Sequence, residues 1–276
     1  MKFVRFGEAG AEKPGVLDGD GQLRDLSGVV PDIAGDALAS LGQIDPEGLP
    51  KVGGTPRLGA PVGHVGKLIG IGLNYSDHAA EAGLKPPPEP IVFMKATSSI
   101  TGPNDPVYLP RGSEKSDWEV ELGVVIGRHA KYVSEDEALN YVAGYTIVND
   151  VSERHFQTER KGQWTKGKSC DSFGPIGPWL VTPDEAGDPQ SMDLSLDLNG
   201  EKAQRGNTSS MVFSVAFIVS YLSQMMSLRP GDIIATGTPP GVGMGMKPPR
   251  FLREGDVMEL AISGLGTQRQ EVLRDS

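Results

Sequence analysis

The chain has 276 residues, a formal net charge of −10 and a sequence pI of about 4.9, so a phosphate backbone or an anionic membrane repels it on average, and neither nucleic acid nor membrane is an expected partner. A hydrophobic share of 38% with 37 Gly and 22 Pro predicts a globular protein of many short strands rather than long helices. The single Cys170 excludes an intrachain disulfide, and without a signal-peptide core or a membrane-length apolar run the expected location is cytoplasmic.

In chain order, residues 1–66 read as a small N-terminal domain and linker. A strand is expected near Lys2 to Phe6, a turn at Asp18-Gly19-Asp20-Gly21 and then a weak helix, before the breaker-rich stretch from Pro50 to Gly66. Residues 67–276 read as the larger, catalytic domain. The runs Leu68 to Ile71, Ile91 to Met94, Val124 to Ile126, Tyr145 to Val148, Ile233 to Ala235 and Val257 to Leu260 predict buried strands. Ser134-Glu135-Asp136-Glu137 predicts a side-chain-capped helix to about Tyr141, Ser210 to about Met226 predicts a second helix, and Asn199-Gly200 predicts a hairpin. The stretch from Lys166 to Pro178 is too rich in Gly and Pro for a helix and is expected to be a loop carrying two lysines.

Chemistry concentrates in this second part. In Trp118-Glu119-Val120-Glu121-Leu122 the strand period puts Glu119 and Glu121 on one face and the apolar residues on the other. Alone, that pattern also describes an ordinary half-wet strand. Asp150, at the end of the apolar run from Tyr145 to Asn149, adds a third acid, although an aspartate there also ends many plain turns. Three converging carboxylates repel one another unless a hard divalent cation sits among them, and oxygen-only donors favour Mg²⁺, with Mn²⁺ the alternative. His78 and Glu81 lie three apart, so on a helix they share a side, as a general base with its orienting carboxylate or as a surface pair. Lys168 can neutralise a substrate carboxylate or be a solvated loop lysine. Thr238, in the turn from Thr236 to Gly243, offers a hydroxyl beside close-approaching backbone. Cys170 is read as a packing residue.

Together these segments resemble the fumarylacetoacetate hydrolase family over nearly everything from Leu68 to the C-terminus. The motifs that carry the resemblance are Gly72-Leu73-Asn74-Tyr75 with His78 and Glu81, Phe93-Met94-Lys95, Glu119-x-Glu121, Asn149-Asp150, Lys168 ahead of Phe173-Gly174-Pro175-Ile176-Gly177-Pro178, Asn207-Thr208 and Thr236-Gly237-Thr238-Pro239. The resemblance implies an α+β, mainly β fold: a mixed β-roll catalytic domain with a small N-terminal α/β domain. It further implies Glu119, Glu121 and Asp150 as metal ligands, His78 with Glu81 as the water-activating pair, Lys168 as a further catalytic residue, and Lys95 and Thr238 as substrate contacts. Ser152-Glu153-Arg154, Gln157 and the run from Gly162 through Trp164 to Lys168 are similar to the branch acting on 2,4-diketo-3-deoxy sugar acids, with Arg154, Gln157 and Trp164 on the acyl tail. The longer eukaryotic members carry a further aspartate ligand ahead of a His in a different local frame, so Asp77 is not carried over.

The activity so implied is metal-dependent hydrolysis of a carbon–carbon bond in a 2,4-diketo acid, releasing pyruvate and a second acid, by a homodimer or homotetramer. Two rivals share the features: an oxaloacetate decarboxylase or keto-enol isomerase on the same metal site, and a non-catalytic carboxylate-binding protein with a structural cation.

Overall fold

Strand residues of the central sheet alternate between two apolar cores, and this alternation organises the molecule. The computed structural model describes residues 1–81, 83 and 85–275, with the side chains of residues 78–80 outside the description. The strands used below are β1 (Lys2–Phe6), β2 (Lys13–Leu17), β3 (Leu23–Asp25), β4 (Leu68–Gly72), β5 (Ile91–Lys95), β6 (Val107–Leu109), β7 (Val120–Ile126), β8 (Val142–Asn149), β9 (Gly174–Val181), β10 (Asp193–Leu198), β11 (Glu201–Asn207), β12 (Ile233–Ala235), β13 (Val257–Ile262) and β14 (Gly266–Arg274). An 11-stranded mixed sheet runs β3-β2-β1-β9-β8-β7-β12-β4-β5 along its main path, and a 5-stranded sheet runs β11-β10-β13-β14-β6. This mainly β, α+β architecture is the fold class expected.

Val120, Leu122, Val124 and Ile126 of β7 join Leu194, Leu196, Met258 and Leu260 in the core between the two sheets. Val125, on the opposite face, packs with Phe3, Val16, Leu26 and Ile33 of the N-terminal segment. By the same period-2 rule Glu121 lies on the face of Val125. The N-terminal strands therefore extend the main sheet, β1 pairing β9, and cover one part of that face. In residues 1–66 the helical turns are 3₁₀, at Gly35–Ala39 and Leu41–Gln43.

Three helices matter for the site, α1 (Ser76–Glu81), α2 (Arg154–Thr158) and α3 (Thr165–Lys168), and a longer one, α4 (Val215–Met225), packs elsewhere. None of the described helices is long and apolar enough to cross a membrane. The helix expected from Ser210 begins later, because Val212 and Phe213 donate backbone N–H groups to Asn74 at 2.7 and 2.8 Å, and Ser214 supplies the cap by accepting from Phe217 at 3.0 Å. Residues 135–141 form a 3₁₀ helix whose Ser134 side chain makes no capping bond, so the expected capping box is absent. Its start is held by backbone, Glu137 N–H donating to Ser134 O. The Asn199-Gly200 hairpin forms as expected, both residues at positive φ.

The expected loop from Lys166 to Pro178 is a correction. It holds the turn α3 and the strand β9, because the breakers fall where they do little harm: pairing to β8 skips from Gly177 to Val181, so Pro178 sits where no ladder bond is required.

Candidate active site

The pairing of β7 with β8 builds the acidic cluster. Val120 pairs with Asn149 and Glu121 with Val148, and the Asp150 N–H continues the ladder by donating to Glu119 O at 2.9 Å. Carboxylate oxygens of Glu119, Glu121 and Asp150 lie within 4.8 Å of one another, all three residues buried. The face assignment read from Trp118 to Leu122 holds, with Trp118, Val120 and Leu122 in the inter-sheet core.

Lys168 reaches this cluster through backbone contact. A Cβ at Gly167 would overlap Glu153 O and Gln157 N, so glycine there lets α3 press against α2 and turn Lys168 inward. Its Nζ donates to Glu119 Oε2 at 2.7 Å and to Asp150 Oδ2 at 2.6 Å. It is 2% exposed, which sets aside the solvated loop lysine. Burial works against its charge, but Asp150 and Glu119 outweigh burial and hold the ammonium above the usual lysine range. Lys95 stands behind Asp150, donating to Oδ1 at 2.6 Å and to Val151 O at 3.1 Å. Burial pulls it below the usual lysine range despite that partner. Glu121 accepts from Gly237 N–H at 2.8 Å, and burial, then the charges of Asp150 and Glu119, push its carboxyl well above the ordinary range.

These donors suit a hard divalent cation. With Asp117, four buried carboxylates face three cations, Lys95, Lys168 and Arg154, which leaves the group short of positive charge, and an Mg²⁺ or Mn²⁺ ion is held by such oxygens while keeping positions for water or substrate. Glu119 and Glu121 border a cavity of about 590 Å³ that also includes Lys168, Arg154, Gln157, Trp164, Thr238 and Glu81, within the usual range for small-molecule sites.

Several expected contacts are engaged with the protein itself. The Arg154 guanidinium lies 2.8 Å from Asp117 Oδ2 and 2.7 Å from Glu119 Oε1, and its Nη1 donates to Gln157 Oε1 at 3.0 Å. The Thr238 hydroxyl donates to Val120 O at 3.0 Å and accepts from Gln204 Nε2 at 2.7 Å. Gly237 N–H goes to Glu121, so this turn braces a carboxylate of the cluster. Lys95 is buried behind the cluster instead of bordering the cavity. Glu81, at the end of α1, accepts from Gly241 N–H at 3.0 and 3.2 Å and so ties α1 to the 239–245 loop. His78 belongs to α1, and its side chain lies outside the described residues. Burial pushes the Cys170 thiol up to about 11, in keeping with a packing role.

Two residues the sequence reading passed over organise the site. Asp117 is buried, holds Arg154, and accepts from the N–H groups of Gly243 and Met244 at 2.7 and 3.0 Å. Extending the Glu119, Glu121 alternation back by two residues would have found it. Gln204 clamps Val120 N–H at 2.9 Å as well as Thr238; nothing local in β11 announces this.

The family model for the C-terminal region of fumarylacetoacetate (FAA) hydrolase matches residues 67–273. A protein of Burkholderia lata provisionally named as a hydrolase is 62% identical over 276 residues, 98% of each chain. Among solved structures, fumarylacetoacetate hydrolase from Exiguobacterium antarcticum superposes with a TM-score of 0.85 at 36% identity over 100% of both chains. Maleylpyruvate hydrolase from Sphingobium sp. SYK-6, in complex with manganese(II) and pyruvate, does so with a TM-score of 0.83 at 28% identity, also over 100% of both.

Proposed function

Because the chain belongs to the fumarylacetoacetate hydrolase family, we propose that it is a metal-dependent hydrolase that cleaves the bond between C3 and C4 of an acylpyruvate. The observation that carries this reading is the convergence of Glu119, Glu121 and Asp150, the first two of which border the cavity. The likeness to a maleylpyruvate hydrolase holding manganese and pyruvate supports it.

A divalent cation held by these three carboxylates, Mg²⁺ or Mn²⁺, would supply Lewis-acid chemistry, drawing electron density from the 2-oxo acid end of the substrate. Lys168 adds a fixed positive charge beside the same end, in a site where water screens little. Arg154, clamped by Asp117 and Glu119, keeps the Glu119 carboxylate aimed. His78, three residues before Glu81 on α1, takes a proton from water. The resulting hydroxide adds to the C4 carbonyl carbon, the C3–C4 bond breaks with its electron pair going to C3, and C3 takes a proton. The products are pyruvate and the carboxylic acid of the acyl group.

The test is loss of the ultraviolet enol band of acylpyruvates, coupled to pyruvate detection, in enzyme stripped with EDTA and then reloaded with Mg²⁺ or Mn²⁺. Turnover that disappears on stripping, returns on reloading and disappears in His78→Ala is expected. Turnover indifferent to EDTA, or pyruvate released from oxaloacetate alone, refutes the reading.

A further inference from the structure

We propose that the acyl tail taken by this site is apolar, an alkyl or aryl group, rather than the hydroxylated tail of a sugar acid; the inference rests on the acylpyruvate reading above. Away from the carboxylates the cavity is walled by Ile71, Phe93, Trp164, Val242, Met244 and Met246. The rings of Phe93 and Trp164 meet with centroids 5.5 Å apart and planes tilted by 56°. Lys168 Nζ lies 4.9 Å from the Phe93 ring centroid. The aromatic wall therefore begins at the charged end of the cavity, and Trp164 continues it.

The backbone is shaped to seat this wall. A Cβ at Gly72 would meet Trp164 Cζ3 at 2.5 Å, and one at Gly70 would overlap the Phe93 ring. Both glycines of β4 thus leave bare strand against which the two rings lie, and a side chain at either would displace a ring.

Several polar groups along the same path are already matched, although Lys247 also lines the cavity. The Thr158 hydroxyl donates to Arg154 O at 2.9 Å, Thr238 is held by Val120 and Gln204, and Arg154 occupies Gln157 Oε1 while its other nitrogens face Asp117 and Glu119. A tail hydroxyl lying along Phe93 and Trp164 gives up water without gaining a partner from those rings, whereas an apolar tail gains by leaving water. The sequence similarity of Arg154, Gln157 and Trp164 to the sugar-acid branch suggested a hydroxylated tail; in this chain the first two serve the carboxylate cluster and the third supplies apolar surface.

The experiment compares acetylpyruvate, benzoylpyruvate and 5-hydroxy-2,4-dioxohexanoate on the Mn²⁺-loaded enzyme. The expected kcat/KM for benzoylpyruvate exceeds that for the hydroxylated acid by about tenfold or more, and Trp164→Ala lowers the benzoyl-to-acetyl ratio about tenfold. Met244→Gln, at a side chain exposed on the cavity rim, lowers the same ratio without touching the core. Tail binding is read separately by calorimetry: 2-oxo-4-phenylbutanoate, which has no C4 carbonyl to attack, binds about tenfold tighter than 2-oxobutanoate. A preference for the hydroxylated acid, or a ratio unmoved in both variants, overturns the inference and leaves the hydrolase reading standing. Failure to cleave any of the three acids refutes the hydrolase reading, and the calorimetry then decides for or against the apolar tail by itself.

Discussion

The ammonium of Lys168 lies 2.6 Å from Oδ2 of Asp150, and both side chains are buried, at 2% and 0% exposure. Lys168 also pairs with Glu119, so one cation from α3 bridges acids that flank the start of β7 and the end of β8. Removing one member of a buried pair leaves an uncompensated charge, at a cost of about 3–5 kcal/mol.

Lys168→Met should therefore lower the stability of the metal-free protein by about 3 kcal/mol or more. Manganese at about 100 times its dissociation constant restores about 2.7 kcal/mol in any form that binds it only when folded. Urea unfolding with and without Mn²⁺ checks both statements. Equal metal-free stability of variant and parent would show that this pair does not offset the repulsion among the acids.

Glu121→Gln and Asp150→Asn each keep the shape of the side chain and remove a charged oxygen donor. Mn²⁺ affinity measured by calorimetry should fall about 100-fold or more, past the roughly 10–100-fold typical of residues that only support ligands. The fold should persist in Glu121→Gln, because an amide there relieves part of the repulsion in the cluster, whereas Asp150→Asn also takes the partner from the buried Lys95 and Lys168 and should cost about 3 kcal/mol or more. Unaltered Mn²⁺ affinity in either variant would remove that residue from the ligand set.

Asp117 links Arg154 to the N–H groups of Gly243 and Met244. Asp117→Asn removes a buried anion from this junction, at a cost of about 3 kcal/mol, and frees one wall of the cavity. Faster limited proteolysis between residues 241 and 247, with KM rising more than kcat falls, is the expected result. A variant with parental proteolysis would show that the loop is held by other contacts.

The thiol of Cys170, raised by burial from 9.0 to about 11, holds about 100-fold less thiolate at neutral pH than an unperturbed cysteine, since the thiolate is the nucleophile and each unit of pKa is tenfold. Alkylation by iodoacetamide at pH 7.5 should be slower than for the urea-unfolded chain by about that factor, and should speed up as pH rises toward 11. Rapid modification of the folded protein at neutral pH would contradict this.

Much of the site was legible where the signal was local. Alternation from Trp118 to Leu122 assigns faces because strand geometry repeats every two residues, whatever the strand packs against. Asp150 was legible because it ends a strongly apolar strand. The 3₁₀ geometry of residues 135–141 was not, because the capping pattern at Ser134 also suits a turn whose start is held by backbone. Nor was the late start of α4, which depends on Asn74, more than a hundred residues away, capturing Val212 and Phe213.

The amino-acid order by itself determined a mainly β chain, the two strands that present the acids, and the oxygen chemistry suited to a divalent cation, since these follow from local periodicity and side-chain type. Tertiary structure alone decided that Lys168 joins the acids, that Arg154 and Thr238 are spent on the scaffold, and that the cavity wall is aromatic. Those outcomes rest on close approaches between segments distant in sequence, such as α3 on α2 through Gly167 and Trp164 on Gly72, and only packing brings such segments together.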